Sequence, residues 1–366
     1  MNLLFYGEFE KGYWMKELLE ALTPPGTVAF SGYRPSIAGL PGEAAAQPYS
    51  HICVDVSPLI DEPEVIVQAM RQTRTVTAVP VIVLAAGFVP ASRLYQALAG
   101  AGFPIITDAV PGLQKQRLKA ILENPEKAAE ETRKNACLEP TEEKKTDIAS
   151  APAFQTAVSA RPVRISLAGA CGRIGTTTQA IQIVKYLQMM GHTACYVEMD
   201  GSGWVQKLDQ TLNGVVYDQA DGKCSYAQME LYGNPAQFAS FQLGGKYEYV
   251  VYDYGLFHPG NTAFFDTDFQ VFVGGVSPSE LEATTALLRY PCIAGRYLFS
   301  FVPKTDEPDI LSMMENMAGQ TAFCPYTPDP FVFLSSSIPV YAKLLQVNPK
   351  TAEKKKSFWK RKGRSD

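Results

Sequence analysis

The sequence predicts two consecutive α/β units, and three observations carry that prediction. The first 120 residues alternate apolar strand segments with helical ones. That order asks for an open parallel sheet, because parallel neighbours need crossover helices. A second series opens at 163–178, where a short apolar strand, a glycine-bearing turn and a helix follow one another. Between them, from Glu123 to about Ala160, the composition shifts to charged, then Ala/Pro/Ser/Thr-rich residues, as in a solvated linker. The expected division is a first unit at 1–122, a linker at 123–162, a second unit at 163–348 and a tail at 349–366.

Bulk composition bounds the function classes. At 366 residues, with 46% hydrophobic and 19% charged residues, the chain suits two globular cores and not a disordered protein. No run of about 18 apolar residues occurs, so no transmembrane helix is expected. The opening Met-Asn-Leu-Leu-Phe-Tyr-Gly-Glu reads as a strand, without the basic start and apolar stretch of a signal peptide. Seven cysteines are scattered without a C-x-x-C pair, and Cys53 and Cys195 fall in apolar strands. Both facts suit a reducing cytoplasm. Three histidines far apart give zinc little support. The net charge of −4 is unevenly spread: residues 350–366 carry eight Lys/Arg and two acids, leaving −10 on the rest.

In the first unit, strands are expected at Leu3–Tyr6, Thr27–Phe30, His51–Val56, Val79–Leu84 and Phe103–Thr107. Helices are expected at Tyr13–Leu22, Pro63–Arg71, Ala91–Ala99 and Pro111–Leu122, with 126–134 prolonging the last one. Five strands with interleaved helices define a doubly wound, flavodoxin-like parallel sheet. Asp55 ends the third strand, and in layout this half resembles a response-regulator receiver domain, in which that position is the phospho-acceptor. The other receiver features match poorly. Glu8 and Glu10 are displaced from the acidic-pair position, Ala85-Ala86 stand where a Ser or Thr belongs, and Thr107-Asp108 replace the lysine. The half is therefore read as a pseudo-receiver, with Asp55 more simply a strand-end cap than a phosphosite.

In the second unit, Val163, Ile165 and Leu167 form the strand, Gly169, Gly172 and Gly175 the turn, and three threonines open the helix. Converging backbone N–H groups and the positive helix end make this geometry a phosphate cradle. Against G-x-x-x-x-G-K-[ST], Ala170 stands at the first glycine, Thr176 at the lysine and Thr177 at the Mg²⁺ ligand. The run Cys171-Gly172-Arg173-Ile174-Gly175-Thr176-Thr177-Thr178 resembles the deviant Walker A loop of the ParA/MinD ATPases, usually K-G-G-V-G-K-T-T. Both lysines are replaced, by Cys171 and Thr176, and Arg173 adds a charge that the family pattern lacks. Further on, the strand Ala194–Met199 ends in Glu198-Met-Asp200, and Tyr249-Val-Val-Tyr-Asp253-Tyr-Gly255 is an apolar strand ending in Asp. The resemblance implies that Asp200 belongs to the switch positioning Mg²⁺ and water, that Asp253 holds the Mg²⁺ shell, and that Gly255 lets the chain pass close to the γ-phosphate. Ser277 and Glu280 cap a helix at 280–289. After the strand Arg296–Val302, Phe301-Val302-Pro303-Lys304 stand where the family often has an Asn contacting adenine, and the segment from Cys324 through the helix 335–346 matches its late loop and closing helix.

ATP and Mg²⁺ are thus the expected cofactors, bound by Gly172, Arg173, Gly175, Thr176, Thr177, Thr178 and Gly255, with Asp200 and Asp253 in the catalytic roles and Thr177 and Asp253 on the metal. Removing one well-placed donor typically costs about 10²–10³ in rate, or roughly 3–4 kcal/mol. With two lysines absent, a weak or silent ATPase is expected. A pseudo-receiver followed by an atypical ParA/MinD-like P-loop NTPase domain resembles the TadZ/CpaE proteins of pilus assembly. That resemblance implies a cytoplasmic, dimeric localisation factor whose partners are a pilus or secretion ATPase and its membrane platform. The tail, with Phe358 and Trp359 flanked by lysines, suits an anionic membrane surface at roughly 1 kcal/mol per basic residue, or simply solvates. Nucleic acid is the weaker partner. The alternative is a working ParA-type ATPase in DNA partitioning or conjugative transfer; a redox or transferase role on a Rossmann-like sheet is weaker, since G-x-G-x-x-G spacing is missing.

Overall fold

Strand residues of opposite parity point to opposite faces, and the first unit uses both. The computed structural model describes residues 1–137, 161–241, 246–290, 292 and 295–351. β1 (Asn2–Tyr6), β2 (Thr27–Phe30), β3 (His51–Asp55), β4 (Val81–Leu84) and β5 (Ile105–Ile106) form a parallel sheet of order β2-β1-β3-β4-β5. Leu4, Tyr6, Ile52, Val54, Val81 and Val83 enter one core cluster, whereas Leu3, Phe5, Cys53, Ile82 and Leu84 enter the other. Helices α1 (Phe9–Glu20), α2 (Leu40–Ala45), α3 (Pro63–Thr77), α4 (Arg93–Gly100), α5 (Pro111–Glu123) and α6 (Pro125–Cys137) cover the two faces. The doubly wound parallel sheet expected from the strand–helix alternation is the one found.

Three helices depart from expectation: α2 was not foreseen, and α1 and α6 differ for local reasons. α1 starts at Phe9 and not near Tyr13, because Gly12 lets it lie directly on Phe5: a Cβ there would sit 2.5 Å from the ring. Apolar periodicity does not register a contact made by a missing side chain. Residues 125–137, expected as linker or as a prolongation of α5, form a separate helix. Asn124 leaves helical geometry at φ −152°, and its Oδ1 accepts the Lys127 N–H at 3.0 Å, capping α6. Thr132 then accepts the Ile105 N–H at 3.2 Å and Ala136 enters the core, so α6 belongs to the first unit's packing. The remainder of the expected linker, 138–160, lies outside the described residues.

The second unit contains β6 (Val163–Gly169), α7 (Thr176–Met189), β7 (Ala194–Glu198), α8 (Leu208–Thr211), β8 (Lys223–Tyr226), β9 (Met229–Tyr232), α9 (Pro235–Phe241), β10 (Tyr249–Leu256), α10 (Thr262–Phe265), β11 (Phe269–Gly274), α11 (Leu281–Leu288), β12 (Gly295–Phe299), α12 (Glu307–Met313), β13 (Thr321–Phe323) and α13 (Ile338–Leu345). The eight-stranded sheet runs β13-β12-β11-β6-β10-β7-β9-β8, parallel except for the antiparallel β8–β9 hairpin at one edge. β6 therefore lies inside the sheet, flanked by β11 and β10, which places its loop at the centre of the strand C-terminal edge. That is where ligands meet open α/β sheets.

The two units touch through the loops that follow β3 and β4. Val89 donates its N–H to Met189 O at 3.2 Å, and Gln228 Nε2 reaches Asp61 O at 2.8 Å. Ile60, Phe88 and Val89 pack on the second unit's core. Glycines set the closeness of this seam. A Cβ on Gly87 (φ +81°) would collide with Ile338, and one on Gly191 (φ +84°) would lie 2.9 Å from Ala91 Cβ. Among the described residues no helix is long and apolar enough to cross a membrane. Of the basic tail, residues 352–366 lie outside the described residues.

Candidate functional site

At the end of β6 the chain doubles back because Gly169 has no side chain. A Cβ on Gly169 would run into Thr176 Oγ1 and lie 2.6 Å from Ile174 Cγ2. Ile174 is buried and pins the loop, while Ala170 donates to Val273 O at 2.8 Å. Gly175 caps α7 in the left-handed region at φ +95°. Arg173, the residue before the buried anchor, also lies there at φ +64°, a region that costs a non-glycine residue about 1–2 kcal/mol. Its side chain is exposed and forms no ion pair among the described residues. Gly172 is exposed, with open space where a Cβ would be. Residues 169–178 thus wrap the head of a helix, and Thr176, Thr177 and Thr178 form its first turn. Thr176 is buried with its hydroxyl against Gly169, so the position of the usual lysine is filled by a short side chain folded inward.

Asp253 and Thr177 meet directly beneath this loop. Thr177 Oγ1 donates to Asp253 Oδ2 at 2.6 Å, Tyr196 OH donates to the same oxygen at 2.8 Å, and Gly255 N–H donates to Oδ1 at 3.0 Å. Burial raises the Asp253 carboxyl above its ordinary value, and the nearby Asp200 charge adds to that; the three donors oppose it. Asp200 packs against Gly255, where a Cβ would lie 2.7 Å from its Oδ2, and Gly255 itself has φ +62°. Asp200, Asp253, Thr177 and Gly255 are therefore brought together at the strand ends, with Gly175, Thr176 and Thr178 beside them. Arg173 and Gly172 stand at the outer rim.

Three further residues support this arrangement and were not singled out from the sequence. Tyr196 OH, besides its bond to Asp253, accepts from Trp204 Nε1 at 2.9 Å. Burial, and then Asp253, push the Tyr196 hydroxyl well above its ordinary value, so it keeps its proton and donates the hydrogen bond to Asp253. Glu198 is fully buried and accepts from Ser202 Oγ at 3.1 Å, Val205 N at 3.0 Å and Gly203 N, fixing the turn that carries Asp200. The strand period was the available signal: Tyr196 and Glu198 are two apart and share a face of β7.

Thr177 Oγ1 and Asp253 Oδ2 are hard oxygen donors at the head of a helix, and they fit Mg²⁺. Among the described residues no group of three His, Cys, Asp or Glu could hold a metal alone. Mg²⁺ ordinarily takes one or two protein oxygens and completes its octahedron from phosphate and water, which is the donor set this pair offers.

Two aromatic rings lie beyond β12. Ser300 is buried 3.6 Å from where a Gly175 Cβ would stand, and the next residue, Phe301, turns outward at φ +58°. Phe301 and Tyr326 are 56% and 70% exposed, with ring centroids 6.2 Å apart. Exposure of that degree for two large rings beside a loop of this kind is unusual for a core-forming pair.

At the other strand-end cleft, Asp55 is buried and accepts the Ser57 N–H at 3.0 Å on Oδ1. Lys11 Nζ stands 3.8 Å from its Oδ2, and neither atom has a hydrogen-bond partner among the described residues. The fifth strand leads into Thr107-Asp108 and carries no lysine there. The ammonium comes instead from α1, whose early start was not foreseen. No acidic pair accompanies it: Gly7 is buried against Asp55, and Glu8 lies at the start of α1.

No family model matches the chain, and no curated protein matches it. Among solved structures, it is similar to the MinC:MinD cell division complex of Aquifex aeolicus at 13% identity, over 45% of this chain and 82% of that one, with a TM-score of 0.35. A plasmid partition protein of Borrelia burgdorferi bound to AMPPNP is similar at 13% identity over 51% and 97% of the two chains, TM-score 0.34. A ParA family ATPase of Chlorobium tepidum is similar at 16% identity over 53% and 95%, TM-score 0.31. Scores this low bear on neither ligand nor partner.

Proposed function

We propose that the chain is a ParA/MinD-type P-loop protein that holds Mg²⁺-ATP in the 169–178 loop and turns it over slowly or not at all. The observation that carries this reading is the 2.6 Å contact of Thr177 with Asp253 beneath a glycine loop whose lysine position is filled by the buried Thr176. Backbone N–H groups and the α7 dipole bind phosphate; Thr177 and Asp253 orient the metal, which when bound neutralises the β- and γ-phosphates. Asp200, held by the Glu198-anchored turn, faces the space beside Gly255 in which a water would be positioned. Phe301 and Tyr326 stack the base in place of an amide contact. Arg173 is the one loop cation, at the rim, where a second copy could receive it. Without the ammonium groups, the cup suits a binding switch that dimerises and recruits, as a TadZ/CpaE-like localisation factor for a pilus or secretion machine would. The basic segment 350–366 serves such a factor by attracting anionic lipid.

The test is binding and turnover of Mg²⁺-ATP by the full chain, by Thr177→Ala and by Asp253→Ala. Binding with negligible turnover, lost in both variants, is the expected result. Turnover of several per minute, abolished by both changes, would instead favour a partitioning motor. For the tail, removal of 350–366 should abolish sedimentation with anionic vesicles; loss of duplex DNA binding in its place points to the DNA alternative.

A further inference from the structure

A cavity of about 790 Å³ lies along the seam between the two units, away from the glycine loop. Its walls come from the segment after β3, the start of α4, the C-terminal half of α7 and the β8–β9 hairpin, with Phe88, Met189, Met229 and Phe333 giving an apolar surface. Lys185 of α7 also lines it, although its side chain is almost wholly buried. Of the three ammonium protons, one is directed at Ala227 O, 3.2 Å away; among the described residues no carboxylate lies within 4 Å. The charges of Asp329 and then Glu62 favour the ammonium from beyond contact distance, while in the cavity wall Glu62 pairs with Arg93 at 3.3 Å and Glu230 with Lys223 at 2.7 Å. Burying a cation is costly unless it is paired. Burial lowers the Lys185 ammonium to about 8, so it remains mostly charged at neutral pH. A desolvated ammonium with spare donors, set in an apolar hollow, is the recognition chemistry of an amphipathic anion.

We propose that this cavity binds an organic anion with a carboxylate or phosphate head and a short apolar body, the head on Lys185 and the body against Phe88, Met189 and Met229. The ligand touches both units at once and so tightens the seam. Calorimetric titration of the full chain with octanoate, octyl phosphate and, as the uncharged analogue, octanol provides the test. At least one anion should bind ten times more tightly than octanol and raise the melting temperature; the tighter of the two identifies the head group. Lys185→Met should remove the preference for the anion, whereas Thr177→Ala should leave it intact, separating this site from the nucleotide loop. In the unmodified chain, the same anion should slow acylation of the Lys185 amine, read by mass spectrometry of its peptide. Equal affinity for octanol, undiminished anion binding in Lys185→Met, unprotected Lys185, or no binding of either anion would each overturn the proposal.

Discussion

Both units end their central strands in an aspartate beside the head of a helix, yet they treat it in opposite ways. In the second unit the approach to Asp253 is built from glycines: Gly169 and Gly175 shape an open loop, Gly255 leaves room for Asp200, and the carboxylate is met by neutral hydroxyls and an amide. In the first, Asp55 is met by the Lys11 ammonium from the neighbouring helix, and the next residues, Val56 to Ile60, run into the seam. The comparison teaches that strand-end position alone does not make a ligand site; what counts is whether the protein supplies the countercharge itself. At Asp55 it does, through Lys11. At Asp253 it offers only neutral donors: two hydroxyls and one amide.

The contrast can be broken first at Lys11. Replacing it with Met leaves the Asp55 carboxylate buried and uncompensated, at an expected cost of about 3 kcal/mol, the low end for a buried pair because the two groups stand 3.8 Å apart without a hydrogen bond. Urea unfolding of Lys11→Met and of the double variant with Asp55→Leu checks this; an unchanged midpoint in the single variant would refute the fixed-cation account. Next in size is Gly255→Ala, which combines a left-handed backbone with a clash on Asp200 and should cost about 2 kcal/mol as well as weaken Mg²⁺-ATP binding. If it melts like the parent chain, the close approach of Asp200 is not required.

The wall between the units supplies a pH test. Burial alone would raise the Glu230 carboxyl, but Lys223, Lys246 and Tyr247 outweigh it and hold it at about 2, below its usual 4.5. Its contribution is therefore present above pH 4.5 and lost as pH falls toward about 2, roughly 1–2 kcal/mol after screening by solvent at this partly exposed site. Glu230→Gln should flatten the acid limb of the stability curve in that window, and an unaltered limb would count against the network. The smallest effect is expected at Arg173→Gly, where relief of the left-handed strain is offset in part by glycine's extra chain entropy, for a net gain of about 0.5 kcal/mol in thermal unfolding. A marked loss of stability there would show that the Arg173 side chain makes a contact of its own.

The sequence disclosed those features whose signal is local. β6, its glycine turn and the Thr176–Thr178 helix start are contiguous, and the apolar run into Asp253 identifies a buried strand by itself. What escaped depends on geometry that composition does not encode. Lys11 reaches Asp55 only because Gly12 seats α1 against Phe5. The β8–β9 hairpin turns through Ala227 and Gln228 at φ +50° and +66°, with neither the Asn nor the Gly that normally announces such a turn. Tyr196 comes to Asp253 from the neighbouring strand, an adjacency set by the order β6-β10-β7, and Trp204 joins it from the loop beyond β7 through the Tyr196 hydroxyl. α6 hid in a charged stretch because its burial rests on Thr132 and Ala136, not on large apolar residues.

The bare backbones of Gly87 and Gly191 carry a mechanical consequence. Each receives a projecting residue of the opposite half, Ile338 and Ala91 respectively, like a tooth seated in a notch. A methyl group in either notch would oblige the facing residue to shift. Gly191 stands just past the end of α7, so this notch seats the first unit against the rear of the helix whose front holds the glycine loop.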